Sequence, residues 1–285
     1  MQGKTVVATG ATAGIGEAAA TKLAAMGARV VFVARDPQRA AATLAKLEGV
    51  APGRGHRFHI ADLSLIAETR RVGERIAASE PRVDVLVNNA GAMFSRRRVT
   101  AEGLEMTFAL NHMAYFALTR ALNERLVASA PARVVSTASA AHAGAALDFD
   151  DLQSARGYSG SKAYGRSKLA NVLFTRELAR RLATSGVIAN CFHPGFVASR
   201  FGDEAGGWQA RAFGLAKRLF GVSPEQGADT LVFLASSPDA AGASGEYFIK
   251  REPRTPSAAA RDDAAARLLW EKSEAITGRA VAPRD

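Results

Sequence analysis

Cysteine is nearly absent from this chain, which has one in 285 residues. That single thiol, Cys191, excludes an internal disulfide. It lies in the apolar run from Val187 to Phe192, which is typical of a buried strand, so we interpret it as a small core residue. No uninterrupted apolar stretch reaches the roughly 18 residues that a membrane-spanning helix needs. Met1 also leads almost directly into the strand-like "KTVVATG", without a basic and apolar leader. We therefore expect a soluble, cytoplasmic protein with no membrane span.

Acidic residues are scarce relative to basic ones, 27 against 37, and the formal charge is +10. Such an excess of positive charge requires nucleic acid to be considered as a partner. Arg96 to Arg98 is the one triple arginine run. A nucleic-acid reader, however, is expected to show a basic stripe with interleaved aromatics, whereas these arginines are scattered among alanine-rich helical stretches. We therefore expect no nucleic-acid partner, and we interpret the charge as a hint of cofactor phosphates.

Short β-branched runs alternate with alanine- and leucine-rich stretches along the chain. Repeated βα units of this kind predict an α/β fold of the Rossmann type, a doubly wound parallel sheet of about seven strands with helices on both faces. We expect one domain over residues 1–285. Two stretches interrupt the alternation, Gly144 to Gly160 and Ser199 to Pro224. Because ligands bind outside the carboxyl ends of parallel strands, we expect residues 199–224 to cover a substrate site.

The first predicted strand ends in "TGATAGIG", Thr9 to Gly16, directly before a helical run. Gly10 permits the tight exit from the strand, Gly14 lets the backbone approach a pyrophosphate, and Gly16 lets the helix pack on the sheet. The helix amino terminus then faces the anion. Glycine turns also join strands to helices for purely structural reasons, but this one has the strand, turn, helix, strand context of a dinucleotide site. We therefore predict that it binds a dinucleotide.

The end of the second predicted strand, "RVVFVARD", distinguishes the two nicotinamide cofactors. An acidic side chain there would bond the ribose hydroxyls of NAD and repel a 2′-phosphate, but Ala34 fills that position and Arg35 follows. Arginine grips phosphate with its planar fork, and Arg39 lies one turn later. We therefore predict NADP(H). In the alternative, Arg35 only solvates the strand end, and Asp36, which starts the next helix, contacts the ribose.

The stretch "GYSGSKAYGRSKLAN" holds two tyrosines, each followed four residues later by a lysine. If residues 161–182 form one helix, Tyr164 and Lys168 share a stripe with Asn171 that carries no arginine or glutamate and should face inward. Tyr158 and Lys162 align instead with arginines and a glutamate on a face that should meet water. The residues after Tyr158 resemble a helix start, which leaves this tyrosine in the preceding loop. We therefore predict that Tyr164 and Lys168 are the chemical pair.

The spacing of this pair suits proton transfer. A phenol has a pKa of about 10 and is a poor base at neutral pH. An ammonium group one helical turn away stabilises the phenolate, so we expect Lys168 to lower the Tyr164 pKa by roughly two or three units. Such a tyrosine would be a general acid and base.

Further motifs follow in order along the chain: Asp62-Leu63 after the third strand, "NNAG" from Asn88 to Gly91, "ALNHM", "STASAAH" and "HPGFVAS". With the glycine turn and the Tyr/Lys pair, they make the chain resemble the short-chain dehydrogenase/reductase superfamily from Thr5 to about Gly278. Each motif alone occurs by chance in alanine-rich chains, whereas their order is specific. Ser199 departs from the family in standing where threonine is usual.

The resemblance implies four catalytic positions, Asn111, Ser139, Tyr164 and Lys168. In the family the serine hydrogen-bonds the substrate oxygen, the tyrosine transfers the proton, the lysine holds the nicotinamide ribose and the asparagine positions a water that links the lysine to solvent. Ser136 is the rival to Ser139, and alternation along the strand does not choose between them; the "AAH" after Ser139 favours it by resemblance. The cofactor contacts expected from the glycine turn, from "RVVFVARD" and from the resemblance are Gly10, Thr12, Ala13, Gly14, Ile15, Gly16, Arg35, Asp62, Leu63, Asn88, Ala90, Gly91, Tyr164, Lys168, Pro194, Gly195, Val197 and Ser199.

Within the superfamily the chain is similar to the retinol dehydrogenase-like and WW-domain oxidoreductase-like branch, on "NHMAYFALT", "DLQSARGYS" and "SKLANVLFTRELARRL". That branch implies NADP(H) and a small hydrophobic alcohol or aldehyde as substrate. The alternatives are a reductase of steroid-like or other lipophilic ketones, and a scaffold that senses NADP(H) without turnover. The resemblance also implies a homo-oligomer through the tyrosine helix, although the charged face with Arg166, Arg176 and Arg180 allows a monomer.

Two groups of residues near these motifs have more than one interpretation. His112, His142 and His193 adjoin motif residues but offer no tight ligand cluster, so we expect no metal. The apolar residues of the 199–224 segment either line a substrate pocket or attach that segment to the body. They are Trp208, Phe213, Leu215 and Phe220.

Overall fold

The computed structural model describes residues 1–195 and 222–279, and eight strands of this part form one sheet. Most are short runs of buried, β-branched residues, because helices cover both faces of the sheet. The strands are β1 (Thr5–Thr9), β2 (Arg29–Ala34), β3 (Arg57–Ile60), β4 (Val85–Asn88), β5 (Ala132–Thr137), β6 (Val187–His193), β7 (Tyr247–Ile249) and β8 (Glu252–Pro253).

The sheet has the order β3-β2-β1-β4-β5-β6-β7-β8. Every neighbouring pair is parallel except the last, β7 with β8. The predicted doubly wound α/β sheet is thus confirmed, and each of its seven predicted strands is present. The additional strand, β8, has two residues, too few to show a periodic pattern.

Helices flank the sheet on both sides and bury two large apolar clusters. One cluster packs α1, α2 and α8 against one face, and the other packs α3 and the helices around the tyrosine motif against the opposite face. The helices are α1 (Gly14–Ala25), α2 (Pro37–Val50), α3 (Ile66–Ser79), α4 (Met106–Phe108), α5 (Ala114–Ala128), α6 (Gly160–Arg181), α7 (Pro224–Gly227), α8 (Asp229–Ser236) and α9 (Asp263–Arg279). A π-helical segment, Ala109–Met113, joins α4 to α5.

The strand order reverses between β1 and β4, because the chain winds from β1 to β3 in one direction and from β4 onward in the other. At such a point the connections after the two strands leave in opposite directions and open a crevice at the carboxyl ends. The glycine turn follows β1 and the "NNAG" stretch follows β4. The fold therefore places both predicted cofactor motifs on the walls of this crevice.

The last helix, α9, packs against α6. Its Trp270 ring stacks on Phe174 of α6, with centroids 5.9 Å apart, and meets Phe116 of α5 edge-on at 4.9 Å. Arg176 of α6 donates to Asp263 of α9 at 2.8 Å. This corrects in part the expectation that the arginine-bearing face of α6 meets water: the Arg176 side chain is 30% exposed beside α9, whereas that of Arg180 is 57% exposed.

Candidate active site

The turn after β1 has the backbone shape that its glycines permit. Gly10 and Gly14 have φ of 67° and 54°, in the left-handed region that disfavours other residues. A Cβ at Gly16 would lie 2.1 Å from the Gly10 oxygen, so α1 approaches the turn too closely for any side chain. No side chain of the described part caps α1 at Ala13, which leaves its first backbone amides available to an anion. These features fit a dinucleotide pyrophosphate.

The start of the "NNAG" stretch forms the opposite wall of the crevice. Asn89 donates to the backbone oxygens of Thr9 and Gly10, and the Ala90 amide donates to Thr9 Oγ1 at 3.1 Å. A Cβ at Gly10 would lie 2.9 Å from the Ala90 Cα, so the two walls touch. Asn88, one of the expected cofactor residues, is fully buried and donates to Thr119 of α5 instead. Its side chain therefore attaches the end of β4 to α5 and does not face the crevice.

The end of β2 carries Arg35 and Asp36, and the Asp36 carboxylate accepts hydrogen bonds from the backbone of α2. Arg35 is exposed, as is Asp36. Asp36 Oδ1 accepts the backbone amides of Gln38 and Arg39 at 2.9 and 3.0 Å and so caps α2, and these bonds lower its pKa. After β3, the expected Asp62 accepts the Ser64 amide and hydroxyl at 2.9 and 2.8 Å. The carboxylate nearest Arg35 in sequence is thus engaged with backbone.

Tyr164 and Lys168 lie one turn apart on the inner face of α6. Lys168 Nζ is 5.6 Å from the Tyr164 ring centroid and 5.9 Å from that of Tyr115 on α5. It donates to the Thr137 backbone oxygen at 2.9 Å. A Cβ at Gly91 would lie 3.7 Å from Nζ, an ordinary contact distance, so the crevice wall reaches this lysine.

Burial dominates the electrostatics of this pair. Loss of hydration raises the Tyr164 pKa to about 12, although a hydrogen bond with Ser139 lowers it in part. Burial likewise lowers the Lys168 pKa to about 7. The structure therefore reverses the direction that we expected for the tyrosine: the ammonium form of Lys168 is itself disfavoured and does not bring the Tyr164 pKa below its usual value.

Asn111 lies in the π-helical segment, which carries its side chain to the crevice wall. Its Oδ1 accepts the Ala92 amide at 2.8 Å, and its Nδ2 donates to Ala92 O and Ser167 Oγ, both at 2.9 Å. A Cβ at Gly91 would lie 3.0 Å from Asn111 Oδ1. The side chain therefore holds the loop after β4 against α6, beside Lys168.

Ser139 follows β5 and starts a 3₁₀ turn, Ala140–His142. Its side chain forms the hydrogen bond with Tyr164 described above, and it also accepts the Ala141 amide at 3.2 Å. Ser136, the rival serine, is buried within β5 and its Oγ has no partner in the described residues. The geometry thus favours Ser139 beside the tyrosine.

Tyr158 precedes α6 and has other partners. Its hydroxyl donates to Phe94 O at 2.7 Å and lies 3.3 Å from Glu105 Oε1 and Thr107 Oγ1. Gly160 packs on the same loop, since a Cβ there would lie 2.4 Å from Phe94 O. Tyr158 therefore attaches the loop after β4 to the start of α6.

Several expected residues lie at or beyond the edge of the described chain. Pro194 and Gly195 follow β6, and Gly195 has φ of 85°. Val197 and Ser199 lie outside the described residues, as does nearly all of the expected covering segment. The same holds for its four apolar residues, Trp208, Phe213, Leu215 and Phe220.

Two polar residues that sequence reasoning did not assign contact this site. Asn171 donates to the backbone oxygens of Asn111 and Thr137. His142 Nδ1 lies 2.7 Å from the Ser139 backbone oxygen, and its Nε2 accepts the Ser257 amide at 3.2 Å. The inward stripe of α6 includes Asn171, but its backbone partners lie 34 or more residues away and leave no sequence signal. His142 is close to Ser139 in sequence, but its second partner, Ser257, lies 115 residues away.

Comparison with known proteins decides the family. A family profile described as short chain dehydrogenase matches residues 4–210. The chain belongs to the short-chain dehydrogenase/reductase family. It is 40% identical to mouse retinol dehydrogenase 14, over 98% of this chain and 87% of that one. Family and relatives identify an oxidoreductase of the retinol dehydrogenase-like branch, as the motifs predicted.

Two further relatives extend the comparison. A proposed daunorubicin C-13 ketoreductase, DnrU, of Streptomyces sp. (strain C5) is also 40% identical, over 98% of this chain and 94% of that one. A short chain dehydrogenase from Burkholderia cenocepacia, solved in complex with NADP, has a TM-score of 0.68 and 28% identity, covering 87% of this chain and 96% of that one. Family members use a nicotinamide cofactor and act on small alcohols or carbonyl compounds.

Membrane and metal features are absent from the described chain. Over residues 1–195 and 222–279, no helix combines the length and hydropathy needed to cross a bilayer. In the same ranges, no three histidine, cysteine or acidic side chains gather as metal ligands would.

Proposed function

We propose that this protein is an NADP(H)-dependent oxidoreductase that interconverts a hydrophobic alcohol and its carbonyl compound, with Tyr164 as the proton-transferring residue. The observation that carries the proposal is the convergence of Ser139, Tyr164 and Lys168 beside the crevice between β1 and β4. Such a site joins a proton donor, a hydrogen-bond donor for the substrate oxygen and a wall for the cofactor.

The preference for NADP(H) rests on the end of β2. Arg35 is exposed there, while Asp36 Oδ1 accepts two backbone amides and caps α2. A guanidinium fork matches the 2′-phosphate that distinguishes NADP from NAD. The related Burkholderia dehydrogenase was solved with NADP, which supports the same assignment.

The nicotinamide supplies or accepts the hydride, and the side chains manage the proton and the oxygen. In reduction, Tyr164 donates its phenolic proton to the carbonyl oxygen as negative charge develops there. Ser139 hydrogen-bonds the same oxygen and stabilises that charge. With a pKa raised to about 12, Tyr164 is protonated at neutral pH, as a proton donor must be. Oxidation needs the phenolate, so its rate should rise toward alkaline pH.

The substrate class follows from the relatives. Retinol dehydrogenases are named for a hydrophobic alcohol, and we propose a substrate of that kind, an alcohol or its aldehyde. The relation to DnrU favours one second candidate, a lipophilic ketone. We further propose that the protein works in the cytoplasm.

NADPH consumption by the purified chain tests this function. The panel comprises medium-chain, aromatic and retinoid aldehydes together with lipophilic ketones, and Tyr164→Phe serves as the blank. Turnover that vanishes in the blank would support the proposal and identify the substrate class. NADPH binding with no turnover across the panel would instead favour a cofactor-sensing scaffold.

A further inference from the structure

The catalytic lysine shares its hydrogen-bond acceptor with a second side chain of the same helix. Lys168 Nζ and Asn171 Nδ2 both donate to the Thr137 backbone oxygen, at 2.9 and 3.2 Å. Thr137 is the last residue of β5, two residues before Ser139. The lysine head and the asparagine amide are therefore held side by side on one oxygen at the end of a central strand.

The same amide also reaches the π-helical segment. Asn171 Nδ2 donates to the Asn111 backbone oxygen at 2.9 Å. Asn171 is fully buried, so no water competes for these bonds. One nitrogen thus ties together α6, the end of β5 and the segment that carries Asn111.

We propose that Asn171 is a positioning residue that holds Lys168 and Asn111 in register through its side-chain amide. The inference rests on the proposed function only in naming Lys168 as catalytic. Lys168 is buried, and the titratable groups of the described residues that face Nζ are Tyr115 and Tyr164, whose ring centroids lie 5.9 and 5.6 Å away. The Thr137 oxygen fixes the position of the lysine Nζ. Asn171 donates to the same oxygen and so competes with Lys168 for it.

The arrangement has an electrostatic consequence. Two N–H donors that share one oxygen bring their positively polarised hydrogens close together. Their repulsion disfavours the charged form of the lysine. Burial is the main reason that the Lys168 pKa lies near 7. Without the asparagine amide, the ammonium form would have the Thr137 oxygen to itself, so the Lys168 pKa should rise.

The test is a titration of the Lys168 side chain by NMR in the full chain labelled with ¹³Cε-lysine. The chain has eight lysines, so the spectrum is simple, and Lys168→Met identifies the signal. We expect Asn171→Ser to raise the Lys168 pKa by about one unit. Asn171→Asp, which keeps the shape and adds a carboxylate, should raise it further and serves if the serine variant does not fold. We expect kcat to fall about tenfold in Asn171→Ser.

Asn190 provides a matched control. It is also a buried asparagine that bridges two backbone groups, donating to Ala243 O at 2.7 Å and accepting the Glu246 amide at 3.0 Å. Asn190→Ser should lower stability and leave the Lys168 titration unchanged. An unchanged Lys168 pKa in both Asn171 variants would overturn the proposal. Because the titration needs no substrate, a failure to find turnover would count against the proposed function and not against Asn171.

Discussion

Tyr158 donates its hydroxyl to the backbone oxygen of Phe94 at 2.7 Å, and this bond joins the loop after β4 to the segment that leads into α6. The second tyrosine of the motif, Tyr164, faces Ser139 and Lys168 instead. The two phenols thus differ in what their hydroxyls hold: one holds a loop, and the other is placed to meet a substrate oxygen.

Removing each hydroxyl should therefore affect different quantities. Tyr164→Phe should lower kcat at least about 100-fold, because it deletes the proton donor, while NADPH binding measured by fluorescence stays intact. Tyr158→Phe should keep most of the activity and lower the free energy of unfolding by about 1 kcal/mol, the typical contribution of one hydrogen bond. The reverse ranking of kcat would show that the wrong tyrosine has been chosen.

Arg35 should determine cofactor choice. Arg35→Ala removes the guanidinium expected at the 2′-phosphate, so KM for NADPH should rise about tenfold or more, while KM for NADH changes little. Steady-state kinetics with both cofactors measures the ratio. Arg71→Ala, which removes an exposed arginine from α3, controls for the general loss of positive charge. Equal changes for the two cofactors in Arg35→Ala would support the alternative, a ribose contact through Asp36.

The sheet, the glycine turn and the Tyr/Lys pair were predictable because each leaves a local pattern. Strand residues alternate with helical runs, glycine marks the left-handed φ at Gly10 and Gly14, and a spacing of four places Tyr164 and Lys168 on one helix face. These features depend on neighbours within a few residues.

The remaining features depend on contacts that no local pattern records. Asn171 and Lys168 meet at a backbone oxygen 31 or more residues away, and every residue has such an oxygen. The direction of the Tyr164 pKa shift was mispredicted because spacing reveals the neighbouring ammonium and not the loss of water around both groups. The packing of α9 on α6 could likewise not be predicted, because it depends on contacts between helices far apart in the sequence.

His142 should act on catalysis through Ser139. Because Nε2 accepts the Ser257 amide, Nδ1 carries the proton and donates to the backbone oxygen of Ser139. His142→Asn retains a donor near the Nδ1 position and should keep most of kcat, whereas His142→Ala should lose about tenfold or more. Both variants lose the bond to Ser257, so both should melt at a lower temperature.

His56 is the matched control for this comparison. It is also buried between an amide and a carbonyl, with Nδ1 accepting from the Val30 amide at 3.0 Å and Nε2 at 3.1 Å from Ala51 O. His56→Ala should lower the melting temperature without changing kcat measured well below it. If kcat fell equally in the two His142 variants, the bond to Ser139 would have no catalytic role.

The packing of α9 predicts that the protein does not associate through α6. Trp270 covers Phe174 and Phe116, and the Arg176–Asp263 and Arg120–Glu274 pairs flank it. A second copy that packed on the part of α6 beneath Trp270 would have to displace this helix, and truncating a buried tryptophan costs about 3–5 kcal/mol. Light scattering after size exclusion tests this, and a mass of 29.9 kDa, that of the monomer, would agree with it. A dimer mass that persists in Arg166→Glu would indicate an interface elsewhere. A dimer that Arg166→Glu abolishes would contradict the prediction.

His112 should make the fold sensitive to acid. It is buried among Phe108, Phe116 and Phe174, and burial lowers its pKa from 6.5 to about 4, against a smaller opposing effect from Asn171. Between pH 6.5 and about 4, His112 is therefore protonated in the unfolded chain and neutral in the folded chain. The stabilising effect of the neutral ring is fully present above about pH 6.5 and is lost as the pH falls toward 4. The loss should amount to about 3 kcal/mol.

Urea unfolding from pH 7 to pH 4.5 measures this loss. Carboxylates also titrate in this range, so the informative quantity is the difference between the wild type and His112→Phe, whose ring suits the aromatic surroundings. Ser273, the partner of His112 Nε2 at 3.0 Å, still donates to Leu269 O and is not left unpaired. The free energy of unfolding of the wild type should fall more steeply with acid than that of the variant. Parallel curves would mean that His112 accepts a proton in the folded state as readily as in the unfolded one.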